Sequence, residues 1–216
     1  MGKVVIKYVW EIPVRVTHWI NVLCIITLCF TGLYIGSPKT LALNPSQYIM
    51  GWTRFLHFVA GYTFTVSVLA RIYWAFVGNE YSRWRVFIPW LTSEGRRRMW
   101  EVSRWYVFLS RRLPADVGLN AMAATIYLIV FLLYLFMIVT GFALYVQYDP
   151  HSFMHALFGW LLPIIPAQWL RLTHHLAMWL LIGFVINHIY SAWLVDIRVK
   201  GGVISGIFSG YKSVEE

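Results

Sequence analysis

The chain has 216 residues, 59% of them apolar and only 12% charged. A soluble globular domain carries about 25% charged residues, so this balance excludes a disordered tail and an ordinary soluble enzyme. Its 18 Lys and Arg against 9 Asp and Glu leave a net charge of +9.

Four apolar runs stand out, at about 16–36, 52–77, 120–146 and 170–195. Each is long enough to cross about 30 Å of hydrocarbon, which takes roughly 20 residues of helix. No alternating pattern of about ten residues repeats, so a β-barrel is not expected. Helices are the remaining structure that satisfies every backbone group in lipid. The expectation is an all-α integral membrane four-helix bundle forming one domain over 1–216.

The first run is too long for the apolar core of a signal peptide, and no A-x-A site follows it, so it reads as an uncleaved helix. It holds both cysteines, Cys24 and Cys29. Five apart on a helix they face different directions, which suits apolar filler better than a disulfide. The segment 78–119 is basic and rich in Trp. Over 93–112, Arg97, Glu101, Arg104 and Arg111 form one line, and Met99, Val102, Tyr106 and Leu109 an opposing apolar one. That predicts an amphipathic helix on the membrane surface, with Trp84, Trp90, Trp100 and Trp105 at interfacial depth. An ordinary cytoplasmic helix is the alternative. The segment 147–169 carries Asp149, His151 and His155 and is broken by Pro163 and Pro166. It is too short to span and is expected as a loop or short re-entrant piece.

Charge sets the orientation. Lys3, Lys7 and Arg15 precede or open the first run. Arg83, Arg85, Arg96, Arg97, Arg98, Arg104, Arg111 and Arg112 lie between the second and third, and Arg198, Lys200 and Lys212 follow the fourth. The opposite side holds Lys39, with Arg54 and Arg171 at its edges. Cytoplasmic loops collect Lys and Arg, so both termini are expected in the cytoplasm. Anionic headgroups then absorb the positive charge, and a nucleic-acid partner is not expected.

Seven histidines occur, and His18, His57, His174, His175 and His188 fall inside the runs. A lone histidine on an apolar helix is more often a packing residue, but these sort by depth. His18 and His188 lie near the cytoplasmic ends, and His57, His174 and His175 near the outer ends. Two opposed imidazoles can take both axial positions of a haem iron, so two depths imply two haems. The fourth run must then offer one ligand to each pair from one face. The 14-residue step from His174 to His188 returns the second ring to within roughly 40° of the first, with a rise of about 21 Å. From His175 the step leaves the rings about 140° apart. His174 is therefore the expected ligand. No C-x-x-C-H is present, so covalent haem attachment through that motif is excluded.

Arg15, Arg54 and Arg171 each precede one of these histidines by three residues, on the same helix face and one turn nearer the membrane surface. Forked guanidinium donors suit haem propionates. The alternative is helix-end arginines reaching for headgroups. Arg71, 14 residues after His57, is a further propionate candidate. Gly32, Gly61, Gly141 and Gly183 would admit a flat macrocycle, or serve plain helix packing. His151 and His155 are four apart, with no evident third metal ligand.

These residues carry a resemblance. The stretches VRVTHW, TRFLHFVAG, RIYWAFVGNEYSR, RWYVFL, ADVGLN, VTGFALY and HHLAMWLLIGFVINHIY resemble the b-type cytochrome subunit of membrane-bound nickel–iron hydrogenases, over essentially the whole chain. The wider relatives include the cytochrome b subunit of respiratory formate dehydrogenase. The resemblance implies an electron-transfer subunit in the bacterial cytoplasmic membrane, with no hydrogen-activating site of its own. Its partners would be an iron–sulfur small subunit and a nickel–iron large subunit. Electrons would enter an outer haem b on His57 and His174, continue to an inner haem b on His18 and His188, and reduce quinone near the cytoplasmic face. The resemblance also suggests Asp116, Gly118 and Asn120 for the quinone, although Asp116 or Asn120 could instead cap a helix. Asp196 could relay protons or merely end the fourth helix. Other readings remain open: the cytochrome subunit of another quinone-linked oxidoreductase such as formate dehydrogenase, a stand-alone dihaem reductase, or a haem-free anchor or transporter.

Overall fold

The computed structural model describes residues 4–38, 44–111 and 116–215. Of the charges that set the expected orientation, Lys3, Lys39 and Arg112 lie outside the described residues. The elements run in chain order as β1 (Val4–Tyr8), α1 (Ile12–Gly36), α2 (Ile49–Val77), α3 (Ser93–Tyr106), α4 (Ala121–Tyr145), α5 (Phe153–Phe158), α6 (Ala167–Val199), α7 (Val203–Ser209) and β2 (Tyr211–Glu215). Helices α1, α2, α4 and α6 are long and apolar enough to cross a membrane. They leave large apolar side chains such as Leu23, Phe30, Val66, Phe76, Ile129 and Ile186 exposed. In water that surface would be costly, whereas lipid tails suit it. The protein is an all-α, multi-pass membrane protein.

The chain's contacts sort into two compact units: residues 1–18, 69–131 and 184–216 form the first, and 19–68 and 132–183 the second. The first unit ties the two ends of the chain together. Strand β1 pairs antiparallel with β2, Val4 opposite Glu215 through Tyr8 opposite Tyr211. This pairing joins positions some 200 residues apart. Gly210, at φ +92°, makes the turn from α7 into β2; a Cβ there would meet the Tyr8 ring at 2.6 Å and the Trp10 carbonyl at 2.8 Å, so only glycine suits it.

A half-buried carboxylate closes the start of α1 as a lock. One oxygen of Glu11, Oε2, accepts from Trp74 Nε1 (2.8 Å), the Asn79 backbone N–H (2.8 Å) and Ser82 Oγ (3.0 Å). Asn79 Nδ2 donates to the Val9 carbonyl at 3.0 Å. Burial by itself would raise the Glu11 pKa. The Asn79, Trp74 and Ser82 hydrogen bonds and the Arg71 charge outweigh it, and the net shift is downward.

Helix α3 is shorter than the 93–112 stretch expected. The Thr92 side chain caps its start by accepting from Gly95 N–H at 3.0 Å. At its end, Leu109 N–H donates to the Arg104 carbonyl (2.8 Å) and Phe108 N–H to that of Trp105 (3.1 Å). This is a Schellman stop, with Phe108 at φ 63° in the left-handed position usually taken by glycine. Leu109 is exposed beyond the helix instead of extending its apolar line, while Val102 is fully buried.

In the second unit a core of Ala143, Leu161 and Leu170 is packed by Val139, Leu144, Leu162 and Ile165. Aromatic pairs fasten the helices, among them Tyr62 on Phe142 (5.0 Å), Phe58 on Tyr145 (4.8 Å) and Phe142 stacked on Phe158 of α5 (5.1 Å). The 147–169 segment therefore holds one short helix seated on α4 through an aromatic stack.

Candidate haem sites

The four candidate ligand histidines fall as two pairs, one in each compact unit. In the second unit, His57 on α2 and His174 on α6 are oriented alike. His57 Nδ1 lies 2.8 Å from Thr31 Oγ1 on α1, and His174 Nδ1 lies 2.8 Å from Thr140 Oγ1 on α4. The direction of these bonds follows from the threonines. Thr31 Oγ1 is 2.6 Å from the Thr27 carbonyl, and Thr140 Oγ1 is 2.7 Å from the Phe136 carbonyl. Two oxygens that close need a proton between them, and a hydroxyl has only one. Each threonine therefore donates to its backbone carbonyl, and each imidazole donates Nδ1–H to the threonine. Nε2 is then the unprotonated nitrogen, the form a metal requires.

Glycine follows each threonine. A Cβ on Gly32 would sit 3.4 Å from His57 Cε1, and one on Gly141 would sit 3.3 Å from His174 Cε1. These two glycines leave room for imidazoles. The other two singled out in the sequence, Gly61 and Gly183, would meet nothing within 4 Å. The neighbouring histidine is placed differently: His175 packs against Gly36, where a Cβ would fall 2.1 Å from its Nε2.

In the first unit, His18 on α1 and His188 on α6 have ring centres 6.3 Å apart at an interplanar angle of 63°. Two imidazoles bound at about 2 Å to opposite sides of one metal hold their ring centres roughly 6 Å apart, so the spacing fits an axial pair. Tyr127 OH lies 3.0 Å from His188 Nδ1, so a hydroxyl stands behind this ring too, on the side away from Nε2. The Phe184 ring stacks on the His188 ring at 5.6 Å and 19°.

The arginines divide. Arg54 and Arg171 are exposed. Arg15 donates to the Phe208 carbonyl, and its buried Nε has no hydrogen-bond partner among the described residues. Arg71 donates to the Ser82 carbonyl at 3.2 Å and lies over the Phe87 ring at 5.4 Å, so its guanidinium is already engaged within the lock.

Asp116, Gly118 and Asn120 precede α4. Asn120 Oδ1 accepts from the Ala123 N–H at 2.8 Å, so this side chain caps the helix. Asp116 Oδ1 takes Arg98 at 2.6 Å, while its buried Oδ2 has no hydrogen-bond partner among the described residues. Burial raises the Asp116 pKa, and Arg98 and Lys212 only partly oppose it. Buried Lys212 reaches the Gly118 carbonyl at 3.4 Å. Asp196 accepts from the Val203 and Ile204 N–H groups at the start of α7, which makes it a cap. In the 147–169 segment His151 is exposed, and the His155 ring lies against Gly159.

Sequence reasoning missed Thr31, Thr140 and Tyr127. The available signal was the Thr-Gly pair, which occurs at 31–32 and 140–141 and at no other position.

Apolar spanning helices that carry imidazoles in pairs, with Nδ1 of His57 and His174 tied back to threonines, are the features of an integral membrane haem protein. Comparison with known proteins agrees. The sequence pattern of the family described as prokaryotic cytochrome b561 matches residues 9–210. The chain is 41% identical over 216 residues to a probable Ni/Fe-hydrogenase B-type cytochrome subunit of Cupriavidus necator, covering 97% of this chain and 88% of that one. It is 43% identical over 214 residues to one from Bradyrhizobium diazoefficiens (97% and 87% covered). Over 220 residues it is 41% identical to the probable Ni/Fe-hydrogenase 1 B-type cytochrome subunit of Escherichia coli K12 (98% and 92%). This chain belongs to the prokaryotic cytochrome b561 family, and its cofactor is haem b.

Proposed function

We propose that this chain is the membrane anchor and electron-transfer subunit of a respiratory uptake hydrogenase in the bacterial cytoplasmic membrane. It passes electrons from a periplasmic iron–sulfur small subunit, itself joined to a nickel–iron large subunit, through two b haems to quinone at the cytoplasmic side. The observation that carries the reading is the sorting of the four histidines into two pairs, with Nδ1 of His57, His174 and His188 each beside a hydroxyl. The names of the relatives supply the hydrogenase.

A bound b haem supplies a one-electron carrier. The chain's own residues do the rest. His57 and His174 would hold the outer iron and His18 and His188 the inner one, with the hydroxyls of Thr31, Thr140 and Tyr127 behind three of the four rings. Exposed Arg54 and Arg171 would serve outer propionates, and Arg15, whose Nε has no partner among the described residues, an inner one. Asp116 offers quinone a buried carboxyl oxygen with no competing partner among the described residues, beside Gly118. Pairing of β1 with β2 supports an even number of crossings, and the Arg-rich α3 supports a cytoplasmic face for both ends. Moving an electron inward across the membrane potential involves about 2.3 kcal/mol per 100 mV, and proton uptake on the cytoplasmic side would conserve it.

The test is a reduced-minus-oxidised spectrum of the purified full chain, with haem-to-protein stoichiometry, and co-purification with its partners. Two haems per chain and capture of an iron–sulfur small subunit are expected. A chain with no haem band, or one that never associates with such a subunit, overturns the reading.

A further inference from the structure

Thr31 and Thr140 are not on the ligand helices α2 and α6, yet they do the same thing at the same distance. Each sits one residue before a glycine that makes room for the imidazole it holds. We propose that the two Thr-Gly pairs are positioning relays that set the reduction potential of the outer haem by making both its axial imidazoles electron-rich. The inference rests on the haem-ligand reading of His57 and His174 and deepens it.

In each relay the imidazole Nδ1–H donates to the threonine oxygen, and the threonine hydroxyl donates to the carbonyl four residues earlier. Hydrogen bonds in such a chain polarise one another. The threonine oxygen becomes a better acceptor because its own proton is pulled toward the carbonyl. An acceptor behind a metal-bound imidazole raises its basicity. A more basic ligand favours ferric over ferrous iron and so lowers the potential. A threonine in a spanning helix usually bonds back to its own backbone and nothing else; here the second lone pair of the same oxygen serves a different helix.

The glycines make the contact one-sided. Tight space at Gly141, 3.3 Å from His174 Cε1, and ordinary contact at Gly32, 3.4 Å from His57 Cε1, let each ring lie beside the turn that carries its threonine. Substituting Gly141 by alanine would push the His174 ring by a few tenths of an ångström, whereas the same change at Gly32 would be accommodated.

The experiment uses the purified full-length cytochrome with T31V, T140V, T31S and T140S, measured by haem stoichiometry, optical redox titration and electron paramagnetic resonance of the ferric low-spin signals. Valine keeps the shape and removes the acceptor, and serine keeps the acceptor. Each valine variant should raise the outer-haem midpoint, changing its reduced-to-oxidised ratio at fixed potential by up to about tenfold, about 59 mV. The inner-haem midpoint should not move, and each serine variant should match wild type. Valine variants that lose the outer haem while serine variants keep it at the wild-type midpoint also support the relays. Valine variants with the outer midpoint unchanged, or serine variants that behave like valine, overturn the proposal and leave the cytochrome reading intact. A wild-type chain that binds no haem removes both.

Discussion

Tyr127 sets its phenol oxygen 3.0 Å from Nδ1 of His188, and its ring stands edge-on to that imidazole at 5.7 Å. His188 of the inner pair is thus held by an aromatic hydroxyl where both outer histidines are held by aliphatic ones. Phenylalanine at 127 would keep the ring packing and remove the oxygen, leaving Nδ1 without this partner. The expected result is a change confined to the inner haem: a shifted midpoint or a fall in its occupancy, with the outer haem at full stoichiometry. Redox titration of the purified variant reads this, and equal perturbation of both haems would contradict separate sites.

His174 and His175 are adjacent but not equivalent. His174 is held by Thr140, whereas His175 fills the space over Gly36. Alanine at 174 should abolish the outer haem band, and alanine at 175 should leave it in place. Alanine at 18 should remove only the inner band. Spectra normalised to protein decide each case, and loss of the outer haem in the position-175 variant would require a different ligand assignment.

Much of this was readable from the chain. The spans announce themselves as apolar runs because lipid leaves helices no alternative, and their ends shift for local reasons. Helix α1 starts at Ile12 because Pro13 suits a first turn, and α6 runs on through Asp196, whose carbonyl still takes Lys200 N–H at 2.9 Å. The histidines were legible by depth and helical angle. Their hydroxyl partners were not, because a threonine in a spanning helix carries no outward mark of which neighbour it serves. The pairing of β1 with β2 was also out of reach: nothing local in five residues at one end names five at the other. Asn120 and Asp196 read ambiguously for the same reason, since the side chain that caps a helix could equally face a quinone at Asn120 or relay protons at Asp196.

The Glu11 lock makes a pH-dependent prediction. The Glu11 pKa is lowered in the folded protein, because the hydrogen bonds and Arg71 outweigh the opposing effect of burial. A lowered carboxyl pKa contributes stability that is present above the unfolded-state value and lost as pH falls through the folded one. Glu11→Gln keeps an acceptor but not the charge, and should cost about 2 kcal/mol at neutral pH. Thermal unfolding in detergent should show the gap between wild type and variant closing as pH drops below the ordinary glutamate range. A gap that widens on acidification would mean that Glu11 is not the ionised centre of the lock.

Phe108 offers the reverse case, a site where substitution should help. It holds φ 63° at the end of α3 and is 94% exposed, so its side chain contributes little packing to offset the left-handed backbone. That conformation costs a non-glycine residue about 1–2 kcal/mol, and the hydrogen bonds that fix it, from Phe108 and Leu109 to Trp105 and Arg104, involve backbone alone. Phe108→Gly should therefore keep the Schellman stop and raise stability by about 1 kcal/mol. The exposed ring has one plausible use, which is insertion at the membrane surface beside Trp100 and Leu109. The two contributions separate by medium: the gain should appear in detergent and shrink in lipid vesicles if the ring is embedded there. A glycine variant less stable than wild type in both media would show that Phe108 makes packing contacts outweighing its backbone strain.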